Sequence, residues 1–172
     1  MDQLKKYFGV PYAKRYWQPD EEHYSAALFL DCCALVRRAV NDLREDFGFQ
    51  LPMGNQCFQY DTLPNELTFD QMKPGDLIFY SAKYYDETRK PKDHDLVHVE
   101  VFLGEGEKTI GARWTRGVVQ VHESFKFESK TYYDIKYHFR SIDTWLKGEC
   151  RSHCKEHRWL QDCTNQSIFD AE

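Results

Sequence analysis

Cys32 and His98 are the residues around which chemistry can be built. Cys32 directly follows Asp31, a residue type that caps helices, and it opens a run with helical periodicity. A thiol on the first turn of a helix faces the positive end of the helix dipole and its unpaired amides. Both favour the thiolate, the nucleophilic form. Cys32 also falls on the apolar face of that helix, so a small core residue is the competing reading. Cys33 points about 100° further round the helix and is the weaker nucleophile candidate. A nucleophilic thiol needs a base. Among His23, His94, His98, His122, His138, His153 and His157, only His98 lies mid-strand between apolar neighbours, where its ring is held. A Cys at a helix start meets a strand His when the helix packs on the sheet, and such a pair performs covalent acyl chemistry.

The elements that must position this pair are legible as periodicities. Cys32, Leu35, Val36, Ala39, Val40, Leu43 and Phe47 recur at helical spacing, with charged residues between them. They predict an amphipathic helix over residues 32–46, capped by Asp31 and stopped at Gly48. Leu51 to Asn65 reads as a turn-rich crossing. Period two follows. Asp76–Tyr80 is a predicted strand launched by the Lys73-Pro74-Gly75 turn. Leu96–Leu103 is a second, with Val97, Val99, Val101 and Leu103 on one face and His98, Glu100 and Phe102 on the other. Gly104 to Glu107 is a turn, and Thr109–Trp114, Val118–His122 and Tyr132–Phe139 are further strands. A helix followed by a meander predicts an α+β fold, the Cys-bearing helix packed on an antiparallel sheet. The charged segment Ser81–Asp95 is expected to be a long loop flanking a site.

Composition narrows the classes. The chain has 172 residues, enough for one domain, and a net charge of −5 with both signs interspersed. No basic footprint for a phosphate backbone is present, so nucleic acid is excluded as an expected partner. The longest apolar run, Ala26–Leu30, is far too short to span a bilayer, so no membrane partner is expected either. The start lacks the apolar stretch of a secretory signal, and adjacent Cys32 and Cys33 do not bridge each other without strain. The expectation is a reduced, cytoplasmic protein that needs no cofactor. Residues 1–146 are expected to form the catalytic domain and residues 147–172 a helical C-terminal appendage. There Cys150, His153, Cys154 and His157 share one helix face. Four ligands on one helix diverge too far to wrap a tetrahedral zinc, so a zinc would take two of them with Cys163 or a distant residue; packing of Cys and Trp159 on the sheet is the alternative.

Four motifs in order resemble the NlpC family of papain-like cysteine peptidases. Asp31-Cys32-Cys33-Ala34-Leu35-Val36 is similar to its Asp-Cys-Ser-Gly-Leu-Val signature. Pro74-Gly75-Asp76-Leu77 matches its Pro-Gly-Asp-Leu strand start, and His98-Val99-Glu100-Val101-Phe102-Leu103-Gly104 its His-Val-Gly-Ile-Tyr-Leu-Gly strand. Upstream, Gly9-Val10-Pro11-Tyr12 resembles its Gly-x-Pro-Tyr segment. The resemblance implies a papain-like NlpC-type fold and a hydrolase in which Cys32 attacks an amide carbonyl. His98 would serve as base and then acid, and Tyr12 would line the nucleophile and assist the oxyanion. Typical substrates of the family are amides that follow a γ-linked residue in cell-wall peptides.

The sequence also departs from that pattern. Arg15-Tyr16-Trp17 replaces a Gly-Gly pair, and the polar residue that orients the imidazole would fall near Gly111, which has no side chain. Glu100 shares a strand face with His98 and is the expected substitute, with Asp95 and Arg113 as alternatives. The stretch from Ile110 to Trp114, continued by Tyr137 to Asp143, resembles a eukaryotic branch of the family whose members accompany tubulin-ligase-like modules. That resemblance implies a peptide or protein-tail substrate with a γ-linked or isopeptide amide. A non-catalytic peptide-binding module on the same fold, and a thiol acyltransferase, are the competing functions.

Overall fold

The computed structural model describes residues 1–13, 17–89 and 94–153. Short α1 (Asp2–Lys5) precedes α2 (Cys32–Asp42), α3 (Arg44–Phe47) and α4 (Gln56–Asp61). Then come β1 (Glu66–Leu67), a 3-10 turn at Phe69–Gln71, β2 (Leu77–Tyr84), β3 (Leu96–Phe102), β4 (Thr109–Ala112), β5 (Val119–His122) and β6 (Tyr132–Arg140), before α5 (Asp143–Leu146). The strands form one antiparallel sheet in the order β1-β6-β2-β3-β4-β5. The α+β expectation holds.

The predicted helix starts where its cap demands. The Asp31 carboxylate accepts from the Ala34 amide at 2.8 Å, satisfying one of the unpaired N–H groups of the first turn. Cys32, Cys33, Leu35, Val36, Ala39 and Val40 are buried, so the apolar stripe faces the sheet. The single helix predicted over residues 32–46 is in fact two. At Leu43 the backbone leaves helical dihedrals and bonding tightens to Leu43 N–H with the Val40 carbonyl, after which α3 runs to Gly48. Gly48 closes it in the left-handed region.

The turn-rich crossing predicted over Leu51–Asn65 contains α4, an element that periodicity does not reveal. Asn55 caps it by accepting from the Cys57 and Phe58 amides, yet its buried face includes Gln56 and Gln59. Polar residues at buried positions erase the apolar stripe that marks a helix. They are there to bond. Gln59 donates to the Cys33 carbonyl at 2.8 Å and Gln56 to the Leu96 carbonyl at 2.7 Å, clamping the start of α2 against β3.

Both faces of the sheet are covered. Leu77, Phe79, Val99, Val101, Ile110 and Val119 pack under the helices, while Ile78, Tyr80, Phe102 and Phe125 form a second cluster on the opposite side. That alternation along β2 and β3 follows the strand period. β2 extends further than its predicted end at Tyr80, because Lys83 and Tyr84 pair with Tyr133 and Tyr132 of β6. The first four residues of the expected Ser81–Asp95 loop, Ser81–Tyr84, are therefore strand. At the other end, residues 147–153 form turn and extended chain rather than helix: Cys150 packs on the core, and the His153 amide donates to the Asp61 carbonyl. The rest of the expected Cys/His appendage, including Cys154, His157, Trp159 and Cys163, lies outside the described residues, as do Arg15 and Tyr16. Among the described residues no helix is long and apolar enough to cross a membrane, and no cluster of three or more His, Cys, Asp or Glu residues could hold a metal ion.

The Pro-Gly-Asp turn and the Gly104 turn interlock. Gly75 N–H donates to the Phe102 carbonyl and Phe102 N–H to the Asp76 carbonyl, and a Cβ on Gly104 would stand 2.4 Å from Pro74 Cγ. Gly104 also has φ +84°, where a side chain is strained. Gly104→Ala is expected to destabilise the protein by about 1–3 kcal/mol in urea denaturation. A loss within 0.5 kcal/mol, the range of neutral surface changes, would contradict this.

Candidate active site

A buried carboxylate organises the site. Glu100, fully inaccessible on β3, receives hydrogen bonds on both oxygens. Oε1 accepts from His98 Nε2 at 2.9 Å and from Arg113 Nε at 2.6 Å. Oε2 accepts from Tyr80 Oη at 3.0 Å, Thr109 Oγ1 at 2.6 Å and Arg113 Nη2 at 2.9 Å. Burial opposes ionisation of this carboxyl. The bonds and charges of Arg113 and His98 outweigh it and hold the group well below the usual carboxylate range. An ionised carboxylate only accepts, so the bond from His98 places a proton on Nε2 and leaves Nδ1 as the ring nitrogen not engaged by the carboxylate.

Glu100 can stand there because residue 111 is glycine. A Cβ at Gly111 would lie 2.8 Å from Glu100 Cγ and 2.9 Å from its Oε1. The position at which the resemblance expects an orienting side chain is thus the space that the Glu100 side chain fills. Arg113, an alternative orienting residue, acts on Glu100 rather than on the ring. Asp95 does not reach the site: it is exposed, and its influence falls on His138.

Cys32 reaches β3 at the level of its backbone. The ladder between β3 and β4 runs only over Val101↔Ile110 and Phe102↔Thr109. Beyond its end, the Val99 amide bonds to the Cys32 sulfur, an interaction that lowers the pKa of the thiol. The sulfur therefore sits beside the residue that follows His98. Tyr12 is delivered to the same place by its own backbone: Leu30 N–H donates to the Pro11 carbonyl and Ala13 N–H to the Leu30 carbonyl, next to the Asp31 cap. Burial, then the nearby Cys32 sulfur, push the Tyr12 phenol far up from its usual range.

The thiolate expectation is corrected. The bond with Cys33, then burial, then the Asp31 charge push the Cys32 thiol well above its ordinary value, and the Val99 amide offsets only part of that. The helix start contributes less than its setting, because Cys32 is 6% exposed and a carboxylate caps the same helix end. Cys33 donates to that carboxylate at 3.2 Å.

A cleft of about 440 Å³ opens over His98, lined by Tyr12, Arg113, Trp114, Phe127 and Tyr132 among others. Trp114 stands edge-on to Tyr12 with ring centroids 5.7 Å apart. Burial, then Tyr84, then Cys32 push the Tyr132 phenol up to about 12. Tyr80, Thr109, His122 and Tyr132 escape sequence reasoning, since only strand register places them around Glu100 or the sulfur. Tyr80, for instance, faces His98 directly across β2 and β3.

A thiol at a helix start thus lies beside a strand that bears a His–carboxylate pair. Comparison with known proteins agrees on the fold. No family model matches the sequence, and no curated protein matches it. Among solved structures, NlpC2 from Trichomonas vaginalis superposes with a TM-score of 0.50 at 19% identity, over 80% of this chain and 43% of that one. NlpC1 from the same organism gives 0.48 at 20% identity over 76% of this chain and 41% of that one. The peptidoglycan hydrolase RipB from Mycobacterium tuberculosis gives 0.49 at 19% over 82% of this chain and 61% of that one. The chain thus has the NlpC/p60-type fold and spans less than two thirds of the length of each of these structures.

Two measurements probe the network. Gly111→Ala is expected to displace Glu100 and destabilise the protein by about 1–3 kcal/mol, read by urea denaturation; an unchanged midpoint would refute the steric argument. His122 faces Glu100 with Nε2 at 3.9 Å from Oε1 and no hydrogen bond there, and burial lowers its pKa from 6.5 to about 4. The folded protein disfavours its cation, so its contribution is full above about pH 6.5 and is lost as pH falls toward 4. His122→Leu should therefore flatten the fall in stability across that window, a change on the order of 3 kcal/mol in total. An undiminished pH slope would exclude His122 as its source.

Proposed function

We propose that this protein is a cysteine-dependent amidase or peptidase that cleaves an amide through a thioester acyl-enzyme. The observation that carries this reading is the His98 Nε2–Glu100 Oε1 pair at 2.9 Å on the strand whose next amide bonds to the Cys32 sulfur. Because the resting thiol is held protonated, attack and proton transfer go together. His98 Nδ1 takes the Sγ–H proton as sulfur bonds to the amide carbonyl carbon. The oxyanion forms near the unpaired amides at the start of α2, with Tyr12 alongside. The carbon–nitrogen bond then breaks, His98 returns the proton to the leaving amine, and the thioester remains. Water attacks the thioester with His98 again as base, releasing the acid and restoring the thiol.

RipB and the NlpC/p60 domain of SagA are peptidoglycan hydrolases, which supports an amide in a peptide as the substrate class. The reading extends to a γ-linked or isopeptide bond on a peptide or protein tail, and an amine in place of water would turn the same intermediate to acyl transfer. The burial of Cys32 and its raised thiol favour a second reading, a peptide-binding module without turnover.

At pH 7 a thiol-directed electrophile followed by peptide mass mapping should modify Cys32 ahead of Cys57 and Cys150. Turnover of γ-glutamyl and isopeptide amides should fall by at least about 10³-fold in Cys32→Ala. Modification that spares Cys32 removes the nucleophile reading. Peptide binding without turnover, unchanged in Cys32→Ala, establishes the module instead.

A further inference from the structure

We propose that Arg113 is a positioning residue: its two-pronged pair with Glu100 keeps that carboxylate ionised in the core and so holds the proton of His98 on Nε2, leaving Nδ1 to serve Cys32. The inference rests on the amidase reading for its consequence, but its physical content is independent of substrate.

Every element around Glu100 presents a polar group to it. Tyr80 comes from β2, His98 from β3 itself, Thr109 from β4, Arg113 from just beyond β4 and His122 from β5. Of these, only Arg113 is a permanent cation. Tyr80 and Thr109 are neutral donors, and His122 is held uncharged by burial. A carboxylate with no exposed surface and only neutral partners takes up a proton rather than remain charged. Arg113 is itself fixed for this task. Its Nη2 donates to the Ser124 carbonyl at 2.8 Å, and its guanidinium lies 4.7 Å over the Phe127 ring. Its side chain is 12% exposed and lines the same cleft as His98.

The consequence of losing Arg113 is a change of tautomer. A protonated Glu100 donates its O–H to His98 Nε2, and the ring proton moves to Nδ1. That nitrogen then cannot accept the thiol proton. Lysine supplies one point charge in place of the fork that grips both carboxylate oxygens, so it restores the charge but not the geometry.

The test uses the whole chain with ¹⁵N-labelled histidine, the His98 signals assigned through His98→Gln. In the unaltered protein at pH 7.5 the Nε2–H tautomer is expected. Arg113→Met should convert it to Nδ1–H and slow iodoacetamide alkylation of Cys32 by on the order of 10²-fold, with the acid limb of the alkylation profile displaced. Arg113→Lys should give a mixture of tautomers and about a tenfold loss, and it carries the test if the Met variant does not fold. An unchanged Nε2–H tautomer and alkylation profile in either folded variant overturns the proposal. If Cys32 of the unaltered protein alkylates no faster than Cys57, the amidase reading falls, while the tautomer shift still decides the role of Arg113.

Discussion

A carboxylate buried without access to water is the constraint to which much of the sheet answers. Glu100 must be matched by donors on both oxygens or it would not stay charged in the core. The molecule supplies them from separate strands: Tyr80, Thr109 and the fork of Arg113, with His98 completing the set. Each donor needs its strand in the right register, so the sheet and the site specify each other. Gly111 belongs to the same arrangement through what it lacks, because any Cβ there would occupy the space of the carboxylate. The carboxylate that bonds to His98 thus comes from the histidine's own strand.

The thiol answers to a different constraint, the meeting of helix layer and sheet. Asp31 caps α2, and Gln59 and Gln56 of α4 tie the start of α2 to β3. Where β3 and β4 stop pairing, the Val99 amide is left to bond with the Cys32 sulfur. The bond with Cys33 and the burial that fixes the thiol raise its pKa, and the Asp31 carboxylate adds to this. In the proposed reaction a thiol held this way depends on His98 at the moment of attack, and the charge state of Glu100, two residues from His98, would then bear on reactivity as well as on packing.

Much of this was legible in one dimension. The cap at Asp31, the apolar stripe from Cys32 to Val40 and the alternation from His98 to Phe102 are local signals, and each marks an element found in place, whereas Val97 packs against the cluster opposite Val99. Glu100 was legible as the partner of His98 because residues two apart on a strand share a face. Other features were hidden for identifiable reasons. α4 buries glutamines, so its pattern does not look apolar; Leu43 breaks the long helix through dihedrals that its residue type does not announce. The extension of β2 to Tyr84 depends on a bulge and on partners in β6 some fifty residues away.

Residue types and spacing alone determined that a capped helix would carry a cysteine and that a strand would carry a histidine with a carboxylate beside it. Those are short-range facts, set by periods of 3.6 and 2 and by the chemistry of single side chains. Only the tertiary structure decided that partners hold the Glu100 carboxyl below its usual range and that the bond with Cys33 and burial push the Cys32 thiol above its own. It also decided that glycine at 111 is a space reserved for Glu100, and that Arg113 acts on the carboxylate rather than the ring. The physical reason is that charge states depend on burial and on partners brought from distant strands, and neither exists until the sheet has closed around them.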